Sequence, residues 1–348
     1  MPAHRRLRTA IVGATGYTGM ELVRLLCRHP AVELSAITSE SRTGEYYSNL
    51  YPHFAKSVSN ILVSQDQLAD YDLDLIFLAL PHKASMGFVR QHGIDRAPLI
   101  DLSADFRLQN IATWEDWYGT EHTCREHLAD AVYGLPELYR PAISEARLVA
   151  NPGCYPTSSI LPLAPLIKAG LVSPRGIVID AKSGVTGAGY KPKPSTHYPT
   201  VNEGFSAYGL KRHRHTPEME EILTRHSGSN VTLQLTPHLL PVNRGILSTI
   251  YAAAVNGVTE ERLKQVLHSA YDKEPFIRLV DHPPSLDNVR GSNFCDICVA
   301  LDERTGIVLV VSVIDNLVKG AAGQAVQNMN IMFGIEETTG LGAIPLSP

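Results

Sequence analysis

An apolar tetrad, Thr9-Ala-Ile-Val12, runs directly into Gly13-Ala-Thr-Gly16-Tyr-Thr-Gly19 and then into a stretch over 18–29 whose apolar residues recur at helical spacing. A strand that passes through closely spaced glycines into a helix opens a parallel β-α-β unit, which commits the chain to helices covering a parallel sheet. The rhythm continues with short apolar runs at Val32–Thr38, Leu73–Leu80, Pro98–Leu102 and Arg147–Ala150, separated by amphipathic segments. Up to about Asn151 this pattern predicts a doubly wound parallel α/β sheet.

The second half has a different grain. Gly176–Asp180, Asn230–Thr236, Gly245–Ala254, Cys298–Leu301 and Gly306–Ile314 are strand-like runs with fewer helices between them, and a mixed or largely antiparallel sheet fits them better. After Asp315-Asn316, which reads as a helix cap, Val318, Ala322, Ala325, Met329 and Met332 recur at steps of four and three residues. They predict one apolar stripe on a last helix that packs back onto the first domain.

With 348 residues the chain is long enough for about two domains, each able to bury a core. Lys+Arg total 31 against Asp+Glu 35, a formal charge of −4, which excludes a polycation built for nucleic acid. The longest apolar run, Gly306–Ile314, is far short of the roughly 20 residues that span a bilayer. The basic opening Met1–Arg8 leads straight into the first strand without a secretory apolar region, so a cytoplasmic protein that engages neither membrane nor nucleic acid is expected. Its five cysteines, an odd number without framework spacing, read as thiols.

The glycine turn suits a dinucleotide. Without Cβ atoms at Gly13, Gly16 and Gly19, the backbone N–H groups of the turn around Thr15, Tyr17 and Thr18 and the helix N-terminus can approach a pyrophosphate. The spacing, G-x-x-G-x-x-G, is a variant of the usual fingerprint, and a glycine-rich turn without a ligand is the bland alternative. The second strand ends in Thr38-Ser-Glu-Ser-Arg42, with no terminal acid to hold a ribose diol. Ser39 and Arg42 suit a 2′-phosphate, so NADP(H) is expected over NAD(H), although Glu40 opposes this and Arg42 also reads as an ordinary surface arginine.

Asn151-Pro-Gly-Cys154-Tyr-Pro-Thr joins a strand to the apolar run Ile160–Ile167, so Cys154 falls at or beside a helix N-terminus. There the macrodipole and the first N–H groups favour a thiolate, the form that acts as nucleophile. The other cysteines read as structural: Cys27 continues an apolar stripe, and Cys124 is isolated. Cys295-Asp-Ile-Cys298 has no second ligand pair at zinc spacing, so no metal is expected.

Seven segments then matter together: Gly13–Gly19, Asp101-Leu-Ser-Ala-Asp-Phe-Arg107, Tyr133-Gly-Leu-Pro-Glu137, Asn151–Thr157, Lys182-Ser-Gly-Val-Thr-Gly-Ala-Gly189, His213-Arg-His-Thr-Pro-Glu218 and Asp315–Gln324. In this order, over nearly the whole chain, they resemble the semialdehyde dehydrogenase superfamily. The resemblance implies a Rossmann domain over 1–153 and 317–348, completed by the C-terminal helix. It also implies an inserted α+β substrate and oligomerisation domain over 154–316, in a homo-oligomer, dimer or tetramer. The implied activity is NADPH-dependent reduction of an acyl phosphate, that of N-acetylglutamate, to the semialdehyde with phosphate release through a thioester on Cys154.

The same resemblance places the acid or base on His213 or His215, against the plain reading of Lys211–His215 as a solvated basic segment. Related aspartate-semialdehyde enzymes carry their histidine in a Pro-Val-x-x-Gly-His segment; this chain has Pro241-Val-Asn-Arg-Gly-Ile246, which argues against aspartyl phosphate. Arg107 is a candidate for the acyl-phosphate oxygens, since a guanidinium matches phosphate in a fork, or else pairs with Asp105. Asn316 is a candidate for the nicotinamide carboxamide, or a helix cap, or both. Lys182 and Ser183 are candidates for the substrate pocket, with a loop or oligomer contact as the alternative. Two other functions share these features in part: an aminoadipyl-phosphate reductase acting on a carrier protein, and a non-catalytic NADP sensor.

Overall fold

The computed structural model describes residues 5–347, so the first four residues of the basic opening lie outside the described residues. From its start the chain runs β1 (Leu7–Val12), α1 (Tyr17–Leu26), β2 (Val32–Thr38), the single turn α2 (Tyr47–Leu50), β3 (Leu62–Val63), β4 (Leu75–Leu78), α3 (Ser85–His92) and β5 (Leu99–Asp101). It continues through α4 (Ile111–Tyr118), β6 (Ala131–Tyr133), α5 (Pro136–Ser144) and β7 (Leu148–Ala150) into α6 (Cys154–Lys168). Next come β8 (Ile177–Gly184), α7 (Tyr198–Val201), β9 (Ser206–Ala207), α8 (His215–Ser227), β10 (Leu233–Leu240) and β11 (Ile246–Ala253). The last elements are α9 (Glu260–Tyr271), β12 (Ile277–Leu279), β13 (Cys295–Asp302), β14 (Ile307–Ile314) and α10 (Gly323–Met332).

Two compact units result. The first comprises the chain up to Ile111, Glu121–Pro152 and Ala321–Gly342. Its sheet has the order β3-β2-β1-β4-β5-β7-β6, and every strand pair in it is parallel. The strand order reverses when the chain, after β2 and β3 on one side of β1, returns to place β4 on its other side, and such a switch point is where an open α/β sheet leaves a crevice at its strand ends. β1, β4 and β5 are nearly continuous apolar runs because both faces of the sheet are covered.

The second unit comprises Ala112–Thr120, Gly153–Gly320 and the segment from Ala343. Its sheet has the order β12-β13-β14-β11-β8-β10-β9, antiparallel at most pairs but parallel between β8 and β10 and between β12 and β13. α6, α8 and α9 pack on this sheet. β11 alternates buried Ile246, Ser248, Ile250 and Ala252 with more open residues, the period-2 signature of a sheet with one covered face. The fold class is thus the one expected, an all-parallel Rossmann-type sheet in one unit and a mixed α+β sheet in the other.

Three details differ from expectation. β3, β6, β9 and β12 have two or three residues each, too short for periodicity to reveal. The last helix is preceded by a π-helical turn over Val318–Ala322, and it carries no single stripe: Gln324, Gln327, Asn328 and Asn330 are as buried as Ala325 and Met329. Two of these polar residues find partners inside, Gln327 on Glu337 and Asn330 on the Glu337 and Thr339 carbonyls, whereas the Gln324 amide is buried without a hydrogen bond among the described residues. The helix cap is Asp315 rather than Asn316: Asp315 Oδ1 accepts from the N–H groups of Leu317 at 2.8 Å and Val318 at 3.1 Å.

Candidate active site

In the first unit, β1 ends at Val12 and α1 begins at Tyr17 with Gly16 as N-cap, so no side chain caps the helix's first N–H groups. Gly13 has φ +87°, and a Cβ there would lie 2.7 Å from the Ala79 carbonyl oxygen. A Cβ on Gly19 would run into the Gly13 carbonyl, whereas one on Gly16 would meet nothing within 4 Å. Two glycines close the turn against β4 and the helix, and the third leaves its outer side open. Donors at an uncapped helix start beside open space are what an approaching pyrophosphate requires, so these residues fit a dinucleotide.

Two tyrosines that sequence reasoning missed hold this turn from behind. Tyr47 donates its hydroxyl to the Ala14 carbonyl at 3.0 Å and Tyr51 to that of Thr15 at 2.6 Å. Only the aromatic clustering at Tyr46, Tyr47 and Tyr51 hinted at them, and it reads equally as core. At the end of β2, Ser39 is buried, while Arg42 is half exposed and pairs with Glu45 at 3.3 Å.

Arg107 is also buried in the first unit. It donates Nε–H to the Asn151 carbonyl at 2.7 Å and Nη2–H to the Leu102 carbonyl at 2.9 Å. The neighbouring Asp105 accepts from the main-chain N–H groups of Lys83 at 2.7 Å and Met86 at 3.1 Å. Two main-chain carbonyls thus fix one edge of the guanidinium at the end of the strand that leads to Cys154.

In the second unit, Cys154 is the first residue of α6, with Gly153 as N-cap. A proline in the first turn is tolerated because its missing N–H is an orphan there, which suits Pro156. The helix then runs on through Pro162 and Pro165 with most of its residues buried. Glu218, buried in α8, accepts the Gly153 N–H at 2.8 Å and ties the two helix starts together. The sequence offered Glu218 only as the last letter of a motif. Behind the thiol, a Cβ on Gly320 would sit 2.8 Å from Cys154 Cβ, so any larger residue there would force one of the two to shift.

Tyr155 brings both histidines to this helix start. Its ring centroid lies 5.3 Å from that of His213 and 5.8 Å from that of His215, and the two imidazoles are 5.0 Å apart. His215 opens α8, and its main-chain N–H donates to His213 Nδ1 at 3.3 Å. That bond makes His213 Nδ1 an acceptor, so His213 is neutral with its proton on Nε2. Burial, helped by the adjacent Arg214 charge, holds its pKa down at about 4. The hydroxyls of Tyr155 and Tyr208 are 2.9 Å apart. Burial pushes both phenols up, Tyr208 to about 12, so they stay neutral.

The Lys182–Gly189 segment is divided by its strand. Ser183 is buried on the covered face of β8, and a Cβ on Gly187 would lie 2.8 Å from its Oγ. Lys182 points to the opposite face, where Nζ pairs with Asp180 at 2.8 Å and Asp180 lies 3.1 Å from His238 Nδ1. Successive strand residues face opposite ways, so Lys182 and Ser183 stand on opposite faces of β8 and do not line one pocket together. Asn316 is buried against the turn that follows: its Nδ2 donates to Thr186 Oγ1 at 3.0 Å and its Oδ1 accepts from Gly245 N–H at 2.8 Å. Ser183 and Asn316 therefore lie on either side of the same turn.

Elsewhere in the first unit, Cys124, Glu126 and His127 bring donor atoms close enough for a metal ion. Burial and Glu126 push the Cys124 thiol up to about 12, so without an ion it stays protonated. Among the described residues no helix is long and apolar enough to cross a membrane.

Residues 8–146 match the model of the semialdehyde dehydrogenase NAD binding domain, and residues 154–316 that of the semialdehyde dehydrogenase dimerisation domain. The N-acetyl-gamma-glutamyl-phosphate reductase of Desulfotalea psychrophila is 48% identical over 349 residues, covering 98% of this chain and 100% of that one. That of Pelotomaculum thermopropionicum is 50% identical over 346 residues, covering 98% and 99%. Among solved structures, aspartate semialdehyde dehydrogenase II of Vibrio cholerae superposes with a TM-score of 0.72 at 18% identity, covering 95% of this chain and 99% of that one. Aspartate semialdehyde dehydrogenase with NADP from Candida albicans gives 0.70 at 16% identity, covering 94% and 98%. At such identity the structural likeness speaks for the fold.

Proposed function

Since the chain belongs to the semialdehyde dehydrogenase family and, within it, to the N-acetyl-gamma-glutamyl-phosphate reductases, we propose that it reduces N-acetyl-L-glutamyl 5-phosphate to N-acetyl-L-glutamate 5-semialdehyde in arginine biosynthesis. Inorganic phosphate is released, and NADPH is the reductant. The observation that carries this reading is Cys154 at the first position of α6, with Tyr155 holding two imidazoles beside that helix start.

The steps follow from the chemistry of these groups. The Cys154 thiolate, favoured by the helix N-terminus, attacks the acyl carbon, the bond from that carbon to the phosphate oxygen breaks, and phosphate leaves. Arg107, fixed along one edge, receives the phosphate oxygens. NADPH, when bound, supplies the hydride that reduces the resulting thioester. The carbon–sulfur bond then breaks, sulfur recovers its electron pair, and the aldehyde is released. His215 takes the thiol proton at the start of the cycle. His213 stays neutral and donates from Nε2 toward the acyl oxygen, a role suited to a group that titrates near pH 4.

For the dinucleotide, Gly13, Thr15, Gly16, Tyr17, Thr18 and Gly19 form the pyrophosphate turn. Ser39 and Arg42 take the 2′-phosphate that distinguishes NADP from NAD. The Arg42–Glu45 pair is exposed and weak enough to yield to it. Asn316 retains one N–H and one lone pair beyond its bonds to Thr186 and Gly245, enough for a carboxamide. Ser183 remains in the substrate pocket and Lys182 does not.

The chain also forms a homo-oligomer, at least a dimer, through the open face of the β8–β11–β14 sheet, where Val178 and Tyr251 are exposed on strands whose other face is buried. A reduced, cytoplasmic setting suits a catalytic free thiol.

The test is NADPH consumption, followed by its absorbance, with N-acetylglutamyl phosphate, aspartyl phosphate and a carrier-linked aminoadipyl phosphate. Turnover with the first alone is expected. Preference for either of the others would overturn the substrate assignment, and NADPH binding without turnover on any of them would overturn the enzyme.

A further inference from the structure

Tyr133-Gly-Leu-Pro-Glu137 and the last helix have no part in the mechanism so far, yet they converge on the residue that holds Arg107. Asn328, fully buried in α10, donates Nδ2–H to the Gly134 carbonyl at 2.9 Å and to Asn151 Oδ1 at 3.1 Å. Asn151, also fully buried, donates its own Nδ2–H to the Ala321 carbonyl at 3.1 Å. The carbonyls of Gly134 and Ala321 can only accept, so neither amide can turn over without setting oxygen against oxygen. The result is a relay with one direction, from Asn328 through Asn151 to Ala321.

Asn151 is the link to the chemistry. Its main-chain N–H is held by the Asp101 carbonyl at 2.8 Å, and its own carbonyl accepts Arg107 Nε–H at 2.7 Å. Gly134 makes the arrangement possible, because a Cβ there would lie 2.5 Å from Asn328 Nδ2 and 2.6 Å from Val149 Cγ1.

We propose that Asn328 is a positioning residue of the reaction: by locking the Asn151 amide it sets the carbonyl that aims the Arg107 guanidinium at the phosphate of the substrate. The proposal rests on the reading of Arg107 as the phosphate ligand. It also gives the Tyr133–Glu137 motif a task, that of passing a carbonyl to Asn328 at a point where no side chain fits.

The experiment is the reverse reaction, from N-acetylglutamate semialdehyde, NADP and inorganic phosphate, for the wild type, Asn328→Ser, Gly134→Ala, Arg107→Lys and the double variant Asn328→Ser/Arg107→Lys. Asn328→Ser and Gly134→Ala should each raise the KM for phosphate about five-fold or more, the scale of one misplaced hydrogen bond. The KM for NADP should stay within about two-fold, and the double variant should be no worse than Arg107→Lys alone, because residues that act through one another are not additive. A generally loosened fold would move both KM values together.

Should either single variant fail to fold, Asn151→Asp, which keeps the acceptor for Asn328 but loses the bond to Ala321, takes its place with the same expectation. If Arg107→Lys raises the phosphate KM and the relay variants do not, or if the double variant is additive, the proposal is overturned and the reading of Arg107 stands. If Arg107→Lys leaves the phosphate KM unchanged, that reading falls and the proposal falls with it.

Discussion

The turn at Gly13–Gly19 and the turn at Asn151–Tyr155 both carry the chain from the end of a parallel strand into the start of a helix, and in both the N-cap is a glycine with no side chain to offer. The helix dipole is the same device in each. The surroundings differ. Around Gly16 nothing would meet a Cβ within 4 Å, whereas the second turn is packed from its own unit: Glu218 holds the Gly153 N–H and Gly320 abuts Cys154. On the proposed function, the first turn is left open so that an anion can arrive from solution, and the second is packed so that an anion belonging to the chain is held in one place. A helix N-terminus is thus a general anion site, and packing decides whether it binds a ligand or makes a nucleophile.

The largest effect should come from removing the proposed nucleophile. Cys154→Ser is expected to lower turnover by about a thousand-fold or more, because a serine beside the same groups is a far weaker nucleophile and leaving group. NADPH affinity, read by fluorescence titration, should stay within about two-fold. Wild-type turnover in this variant would end the covalent route.

Gly19→Ala is the mirror experiment. Its Cβ would run into the Gly13 carbonyl, spoiling the cradle, and NADPH should bind about ten-fold or more weakly, the equivalent of about 1.4 kcal/mol. The rate at which iodoacetamide alkylates Cys154 should not change. A variant that loses thiol reactivity but keeps its nucleotide would show that the two turns are not separable in this way.

Gly320→Ala tests the packed turn without altering any polar group. A Cβ placed 2.8 Å from Cys154 Cβ must be accommodated by movement of α6 or of the turn before α10, an overpacking cost of about 1–3 kcal/mol. We expect kcat to fall about ten-fold with the KM for NADPH unchanged, and the melting temperature to drop by a few degrees. Unchanged kcat would mean that the position of the thiol tolerates more slack than the comparison allows.

The histidines give the packed turn a pH signature. His213 is held at about 4 in the folded chain against about 6.5 unfolded. The unfolded chain therefore binds the extra proton first, and stability is full above about pH 6.5 and lost progressively as pH falls toward 4, by about 3 kcal/mol in all. His29, whose ring nitrogens are bonded to Asn330, the Thr339 carbonyl and Ala31 N–H, is lowered in the same direction. His213→Asn should flatten part of this loss in thermal melts at pH 4 to 7. In the pH–rate profile, His215→Asn should remove a limb that His213→Asn leaves in place. The reverse outcome would exchange their roles.

What could be read in advance follows from range. Gly13–Gly19, the β2 segment Val32–Thr38 and the helix start at Cys154 are local, set by residues within one turn of each other, and the sequence shows them. Tyr47, Tyr51, Glu218 and Asn328 act on carbonyls and N–H groups far away in the chain, and nothing near them in sequence announces their partners. The last helix misled for the same reason: an apolar stripe is a property of periodicity, while the burial of Gln327, Asn328 and Asn330 depends on what the rest of the fold brings to them.

Lys182 and Ser183 offer the smallest and cleanest test, because one bond of the chain separates them and the strand sends them to opposite faces. Lys182 is partly exposed and paired with Asp180 at 2.8 Å, an arrangement that typically contributes about 1 kcal/mol or less. Lys182→Met should therefore leave turnover and both KM values within about two-fold. Any change should appear in self-association measured by sedimentation, since the side chain lies on the face proposed to meet a second copy. Ser183→Ala removes a buried hydroxyl beside the Asn316 turn and should raise the substrate KM several-fold without touching self-association. If instead Lys182→Met weakens substrate and Ser183→Ala does not, the covered face of β8 is not the side on which substrate binds, and the enclosed turn at Cys154 would have to be approached from the other side of the sheet.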